Sequence, residues 1–299
     1  MSKLTLVIKP LEPLMLRSSG EFDIETKGPA SYAKSLLVPR PSTIAGMLAS
    51  LLYKGSNKDY WLDDIKQNIK PISDICGPLI VKDNYGYVPL RIGSVFTFLK
   101  APLKELSKCI SDKISDIISF YEDKGEDYDK IDTKISKLMS QDWTDIIAIQ
   151  PRLGIGLDRS RKVTKEGMLY VANYVSINAS IYVIVNGDSK EIKSALDGKI
   201  STFGGEGRLV KLHILDDEAF SCDKFEDSKP GVLLSPLPVE SATRFIGEFS
   251  IIGMGFDLKN NRRKEIVKAI LEGSIVINSI PINEYYSIGY GSYVRIFTK

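Results

Sequence analysis

Phe203–Leu212 reads FGGEGRLVKL, and it dictates a tight loop running straight into a strand. Gly204, Gly205 and Gly207 enclose one acid, Glu206, and Arg208 follows at once. Residues without a Cβ reach backbone conformations closed to the others. From Leu209 the pattern alternates, with Val210, Leu212 and Ile214 on one side and Lys211 and His213 on the other. That period of two is the signature of a half-buried strand. Glycines let another chain approach closely, and amide N–H groups beside an arginine suit an anion such as phosphate. The same residues also suit a plain turn leading into a strand, with no ligand. A nucleotide-triphosphate P-loop is excluded, because the glycines lead into a strand and the Gly-Lys-Ser/Thr ending is missing.

A sheet needs partners, and the flanking sequence supplies them. Leu4–Lys9 alternates with Leu4, Leu6 and Ile8 inward, and Pro10 and Pro13 close it. Arg17 opens a polar, glycine-punctuated segment to Lys34 that reads as an extended loop. Ser42 is placed to cap a helix running to about Tyr53, with Ile44, Met47, Leu48, Leu51 and Leu52 on one face. Its first N–H groups, together with Arg40 and the Ser42 and Thr43 hydroxyls, could hold a phosphate; an ordinary capped core helix fits them as well.

Tyr87–Phe98 is strand-like. Pro102–Ile147 reads as a helical insertion decorating the fold, with Leu103, Leu106, Ile110, Ile114, Ile117 and Tyr121 in one stripe. Pro151–Gly167 carries Arg152, Arg159, Arg161, Lys162 and Lys165 among glycines and aliphatics. This pattern suggests a protruding hairpin with a basic tip, suited to gripping a nucleic-acid backbone. Met168–Val185 is strongly β but long for one strand, so a bend is expected near Asn173 or Asn178. Its tyrosines could stack on bases or form a second packing face. Asn186-Gly187-Asp188 turns into a short helix, Ser189–Leu196.

Phe220–Pro238 reads as a polar connection between lobes. Phe249–Asp257, Ser274–Asn278 and Tyr293–Phe297 are strand candidates, with a basic run at Arg262-Arg263-Lys264. Ser287–Gly291 is a second glycine turn in which Tyr290 could stack on a base. The element order points to an α+β fold: a ferredoxin-like lobe over residues 1–219 and a strand-rich lobe over 220–299.

Several function classes are closed off. The formal charge is +2 over 299 residues, so any nucleic-acid surface must be a local patch. Cys76, Cys109 and Cys222 are far apart with no CxxC pair, which argues against a zinc site or a disulfide framework and for a reducing, cytoplasmic setting. No stretch reads as a signal peptide or a membrane span. No Asp/Glu/His cluster has metal-ligand spacing, and no cofactor is expected. His213 is the sole histidine, so any histidine-based catalysis would have to be built around it.

Taken in order, PLMLRSSG, VPRPSTIAGML, PRLGIGLDRSRKVTKEGMLYV and FGGEGRLVKL resemble the RAMP-superfamily subunit of type III-B (Cmr) CRISPR effector complexes that holds the 5′ tag of the guide RNA. GFDL at Asp257 followed by GSIVIN is similar to that family's closing region. The resemblance implies tandem ferredoxin-like (RRM-like) lobes with glycine-rich loops and no catalytic activity. It also implies contact with crRNA, with a large Palm-domain subunit and with backbone RAMP subunits. The family's helix entrance falls on Pro41–Thr43, its basic hairpin on Arg152–Lys165 and its glycine loop on Gly204–Arg208. Phe256 stands where the family often has tryptophan, and the last glycine loop is minimal here. The equivalent type III-A subunit does the same job on a similar fold.

On this reading the RNA-binding set is Arg17, Arg40, Ser42, Thr43, Arg152, Arg159, Arg161, Lys162, Gly204, Gly205, Glu206, Gly207, Arg208 and Tyr290. Arginines and backbone N–H groups would take phosphates, while Glu206 would orient Arg208 or the loop rather than face a phosphate. The competing reading is a guide-RNA-processing endoribonuclease of the same superfamily, with His213 as general acid or base.

Overall fold

The computed structural model describes residues 2–18, 32–33, 35–55, 58–93, 95–122, 128–140, 142–158, 163–224, 230–239, 244–257, 260–277 and 284–297. Its first part runs β1 (Ser2–Pro10), β2 (Tyr32–Ala33), α1 (Pro41–Leu51), α2 (Trp61–Asn68), β3 (Ile72–Lys82), β4 (Tyr85–Ile92) and β5 (Val95–Pro102). Then come α3 (Leu106–Glu122), α4 (Tyr128–Met139), β6 (Ile147–Asp158), β7 (Val163–Ile177), β8 (Ser180–Gly187), α5 (Ser189–Leu196), β9 (Ile200–Thr202) and β10 (Leu209–Leu215).

Seven strands form one sheet in the order β5-β4-β3-β8-β1-β10-β9. Within it, β1, β3, β8 and β10 lie in the order β3-β8-β1-β10, all antiparallel. Two helices separate β1 from β3 and α5 separates β8 from β10, which is the ferredoxin-like βαββαβ arrangement. The alternation read from β1 and β10 is what builds it. Leu6, Ile8, Val210 and Leu212 are fully buried, while Lys211 and His213 face out. Asp188 starts α5 by accepting from the Lys190 and Glu191 amides at 3.0 Å.

Helices α1, α2 and α5 cover one face of this sheet, and α3 covers part of the other. Ile110, Ile114 and Ile117 of α3 are fully buried in a cluster with Leu79, Val88 and Ile184 of the sheet and Val232, Val294 and Ile296 of the C-terminal part. This revises the expected decorative insertion. Burying an isoleucine contributes about 2 kcal/mol, so α3 is part of the core. Tyr121 leaves the stripe and is largely exposed.

The C-terminal part of the chain carries β11 (Asp223–Lys224), β12 (Gly231–Leu233), β13 (Leu237–Pro238), β14 (Phe245–Ile246) and β15 (Phe249–Gly253). It continues with β16 (Phe256–Asp257), β17 (Arg262–Arg263), β18 (Ile266–Ile270), β19 (Ile275–Val276) and β20 (Ser292–Arg295). They form sheets of order β11-β20-β12-β19-β14, β13-β18-β15 and β16-β17, while β2, β7 and β6 make a further sheet.

Four sequence readings change here. Tyr87–Phe98 is the hairpin β4–β5, turned at Gly93 with φ +58°. The bend near Asn178 is a full break, because β7 and β8 belong to different sheets. Residues 231–238 are buried throughout instead of forming a polar connection. Finally, Cys76 and Cys222, 146 residues apart, are joined as a disulfide with Cα atoms 6.0 Å apart, and Cys109 is free. Spacing along the chain carried no sign of that approach, which packing of the segment around Cys222 against β3 creates. No helix of the described residues is long and apolar enough to cross a membrane.

Candidate nucleic-acid interface

The glycine loop is held to the chain's own N-terminal segment. Gly204 (φ +75°), Glu206 (φ +59°) and Gly207 (φ +63°) all take left-handed backbone. The Gly205 amide donates to the Met15 carbonyl at 2.8 Å, and a Cβ on Gly204 would sit 2.6 Å from that oxygen. The close approach that the glycines permit is therefore an approach to Met15.

Arg208 anchors the other side. It donates to Glu12 Oε2 at 2.8 Å and to the Tyr174 hydroxyl at 3.2 Å, and lies 3.4 Å from Glu206 Oε2. The Tyr174 hydroxyl donates to Glu206, and the guanidinium carbons of Arg208 and Arg152 lie 4.7 and 4.5 Å from the Tyr174 ring centre. Two carboxylates thus meet two guanidinium groups, so the knot is close to neutral. This corrects the expectation that the Gly205 amide and the Arg208 charge are offered to a phosphate, since both are engaged within the chain. Tyr174, only 5% exposed, serves packing and not base stacking.

Two expected results follow for this knot. Arg208→Ala should cost about 1–2 kcal/mol of folding stability, because it leaves Glu12 and Tyr174 without their donor; a urea melt measures it. Acid should loosen the loop as well. The Arg208 hydrogen bond, then that of the Leu209 amide at 2.9 Å, hold the Glu12 carboxyl below the usual glutamate range. Its contribution is complete above the unfolded glutamate pKa and is lost as pH falls through the lower folded value. Exchange protection of the Leu209 amide should accordingly be full above about pH 5 and fall as the pH is lowered below it, and Glu12→Gln should abolish that pH dependence.

At the helix entrance the cap is Arg40, with Pro41 in the first turn, so Ser42 lies inside α1 and does not cap it. Proline suits that first position because the amide it lacks has no helical partner there. The Arg40 guanidinium donates to the Gly253 carbonyl at 3.2 Å, and its Nε is buried with no partner among the described residues. Tyr290 donates to Ser42 Oγ at 3.1 Å and is fully buried, packed edge-on against Tyr285. Tyr290 is therefore a core residue and cannot stack on a base, and burial pushes its hydroxyl pKa up. Thr43 is half-buried beside it in the first turn.

The basic segment does form a hairpin. β6 and β7 pair from Ile147↔Ile177 at the base to Asp158↔Val163. Ile147 and Val175 seat the base in the core, whereas Arg152 and Leu153 further out are exposed. Arg159, Arg161 and Lys162 lie outside the described residues. Arg17 is exposed and bridges to Ser35.

Glu12 and Met15, which hold the glycine loop, escaped the sequence reading because short polar-apolar runs near Pro13 carry no period. A second knot was also missed. Glu265 accepts from the Tyr60 hydroxyl at 3.0 Å, Trp61 Nε1 at 2.7 Å and the Tyr285 hydroxyl at 3.0 Å, with the Lys264 ammonium 4.0 Å from the Trp61 ring centre. The adjacent aromatics Tyr60-Trp61 were its one visible sign. His213 is exposed on β10 with Nδ1 2.7 Å from Asp197 Oδ1. No group of three or more His, Cys, Asp or Glu among the described residues could hold a metal ion.

A family model described as CRISPR-associated protein (Cas_Cmr3) matches residues 6–106 and 133–235. The CRISPR system CMR subunit Cmr3 of Saccharolobus solfataricus is 34% identical over 293 residues, covering 92% of this chain and 86% of that protein. A chain in a cryo-EM structure of the type III-B Cmr-beta complex bound to cognate target RNA and AMPPnP is 32% identical. It superposes with a TM-score of 0.77 over 96% of this chain and 94% of its own. A chain of the Csm3–Csm4 subcomplex of a type III-A interference complex shares the fold alone, at 16% identity and a TM-score of 0.52 over 99% of this chain and 100% of its own. On this evidence the chain belongs to the Cmr3 family, the RAMP subunits of type III-B CRISPR effector complexes.

Proposed function

We propose that this chain is a non-catalytic subunit that holds the 5′ tag of the crRNA within a cytoplasmic type III-B effector complex. Its neighbours would be the large Palm-domain subunit and the backbone RAMP subunits, with lobes over residues 1–219 and 220–299. The observation that carries this reading is the β6–β7 ribbon. It is anchored in the core at one end, bears exposed Arg152, and pairs outward to the strand ends that flank Arg159, Arg161 and Lys162. A ribbon of that kind can reach along an RNA backbone and supply cations to its phosphates. Arg40 and Thr43, both half-buried at the helix entrance, add a second phosphate contact. Cognate target RNA is present in the Cmr-beta structure that this chain resembles.

The test is the salt dependence of guide-RNA binding by the assembled complex. Replacing Arg159, Arg161 and Lys162 with alanine should reduce the slope of log K against log salt by up to about two to three. An unchanged slope would remove the hairpin from the RNA interface. The endoribonuclease alternative rests on His213 and Asp197, and repeat-RNA cleavage that His213→Ala abolishes would establish it.

A further inference from the structure

The three-stranded sheet β13-β18-β15 breaks the rule that a solvent-facing sheet surface is polar. Ile252 of β15 and Ala269 of β18 point into the core. The other face carries Phe249 and Ile251 from β15 and Ile266 from β18, with Ile251 59% and Ile266 70% exposed. Register makes these neighbours: Ile251 lies across from Lys268, and Ile266 across from Gly253, one diagonal step away. Phe256, on the adjoining β16, is also exposed. In addition β15 ends its sheet, so its outer backbone edge pairs with no further strand among the described residues, and only the Gly253 carbonyl at its end is taken up, by Arg40 at 3.2 Å. Exposed apolar faces and bare edges are features that chains ordinarily avoid unless something covers them.

The charges around this face have one sign. Lys268 sits within it, and Arg262 and Arg263 lie on the exposed hairpin beside it. The nearby acids are occupied: Asp257 is buried against Asn260 and lies 3.8 Å from Arg262, Glu248 pairs with Arg91, and Glu265 holds its aromatic hydrogen bonds, which leaves Lys268 as the cation within the face.

We infer that this face docks a β-strand of a neighbouring protein subunit of the complex, one that presents aliphatic side chains flanked by carboxylates. The strand would add to the edge of β15, its apolar side chains covering Ile251 and Ile266 and its acids meeting Lys268. RNA is the poorer occupant, because Ile251 and Ile266 fill the middle of the face and leave only the flanking Phe249 and Phe256 rings for a base to stack on.

The test uses the complex assembled from co-expressed subunits and guide RNA. A photo-crosslinking p-benzoylphenylalanine in place of Ile266 should attach to one defined protein subunit, at a peptide of apolar and acidic residues. The double variant Ile251→Glu with Ile266→Glu should reduce co-purification of that subunit by about tenfold or more. Its melting temperature alone should match the parent, since both positions are exposed. Lys268→Glu should weaken the same association. Crosslinking to guide RNA or to a second copy of this chain, no crosslink at all, or unchanged co-purification of the double variant would overturn the assignment.

Discussion

Removing the Cys76–Cys222 bridge should lower the stability of the folded chain by about 5 kcal/mol, a chain-entropy value for a loop of this length. The bridge spans a separation of 146 residues and ties β3 of the first sheet to the segment just before β11. Without it the unfolded chain regains the freedom of that whole loop, while the native chain gains nothing in return. For a chain of this size about 2 °C is lost per kcal/mol, so the melting temperature should fall by roughly 10 °C. Serine at a buried cysteine position adds a polar cost of its own. The decisive comparison is therefore wild type with and without a dithiol reductant, alongside Cys76→Ser with Cys222→Ser. Reduced wild type should approach the double variant, and Cys109→Ser should behave like the parent in both conditions. A reductant-insensitive melt with three alkylatable thiols in the native protein would show that the bridge does not form.

Gly204→Ala is expected to destabilise the fold by about 2–4 kcal/mol, from two sources acting together. Its φ of +75° is left-handed backbone, and its added Cβ would lie 2.6 Å from the Met15 carbonyl oxygen. That oxygen also accepts the Gly205 amide, so moving it away breaks a hydrogen bond. Gly205→Ala is the control. Its φ is not positive, and its Cβ would first meet the flexible Met15 thioether at 3.3 Å, so its cost should stay below about 1 kcal/mol. Equilibrium unfolding in urea separates the two. Equal small effects would mean that the loop does not lean on Met15. If Gly204→Ala in the assembled complex loses guide-RNA retention without losing stability, the loop contacts RNA after all.

Periodicity made much of the N-terminal part legible. Leu4, Leu6 and Ile8 in β1 and Val210, Leu212 and Ile214 in β10 alternate, and alternation is the same physical fact as facing a core. Asp188 before Ser189 announced α5 through a hydrogen bond that reaches only two and three residues along the chain. The C-terminal part was harder because its strands are short, with several of only two residues, and two residues have no period. α3 read as surface decoration because a helix stripe shows that it is buried without showing against what.

The candidate site divides along the same line. Which residue types could meet an RNA backbone was readable: Arg152 and its neighbours in a hairpin, glycines around Glu206, and an arginine at a helix entrance. Whether each remains available depends on partners distant in sequence. Glu12 engages Arg208 across 196 residues, Ser42 receives Tyr290 across 248, and Cys222 reaches Cys76 across 146. Strand and helix periods, the hairpin and the family resemblance were legible along the chain, because those rest on local order. Which charges are engaged inside the fold emerged from the packing alone. Coulombic, hydrogen-bond and disulfide partners act over a few ångströms of space, and distance along the chain does not encode them.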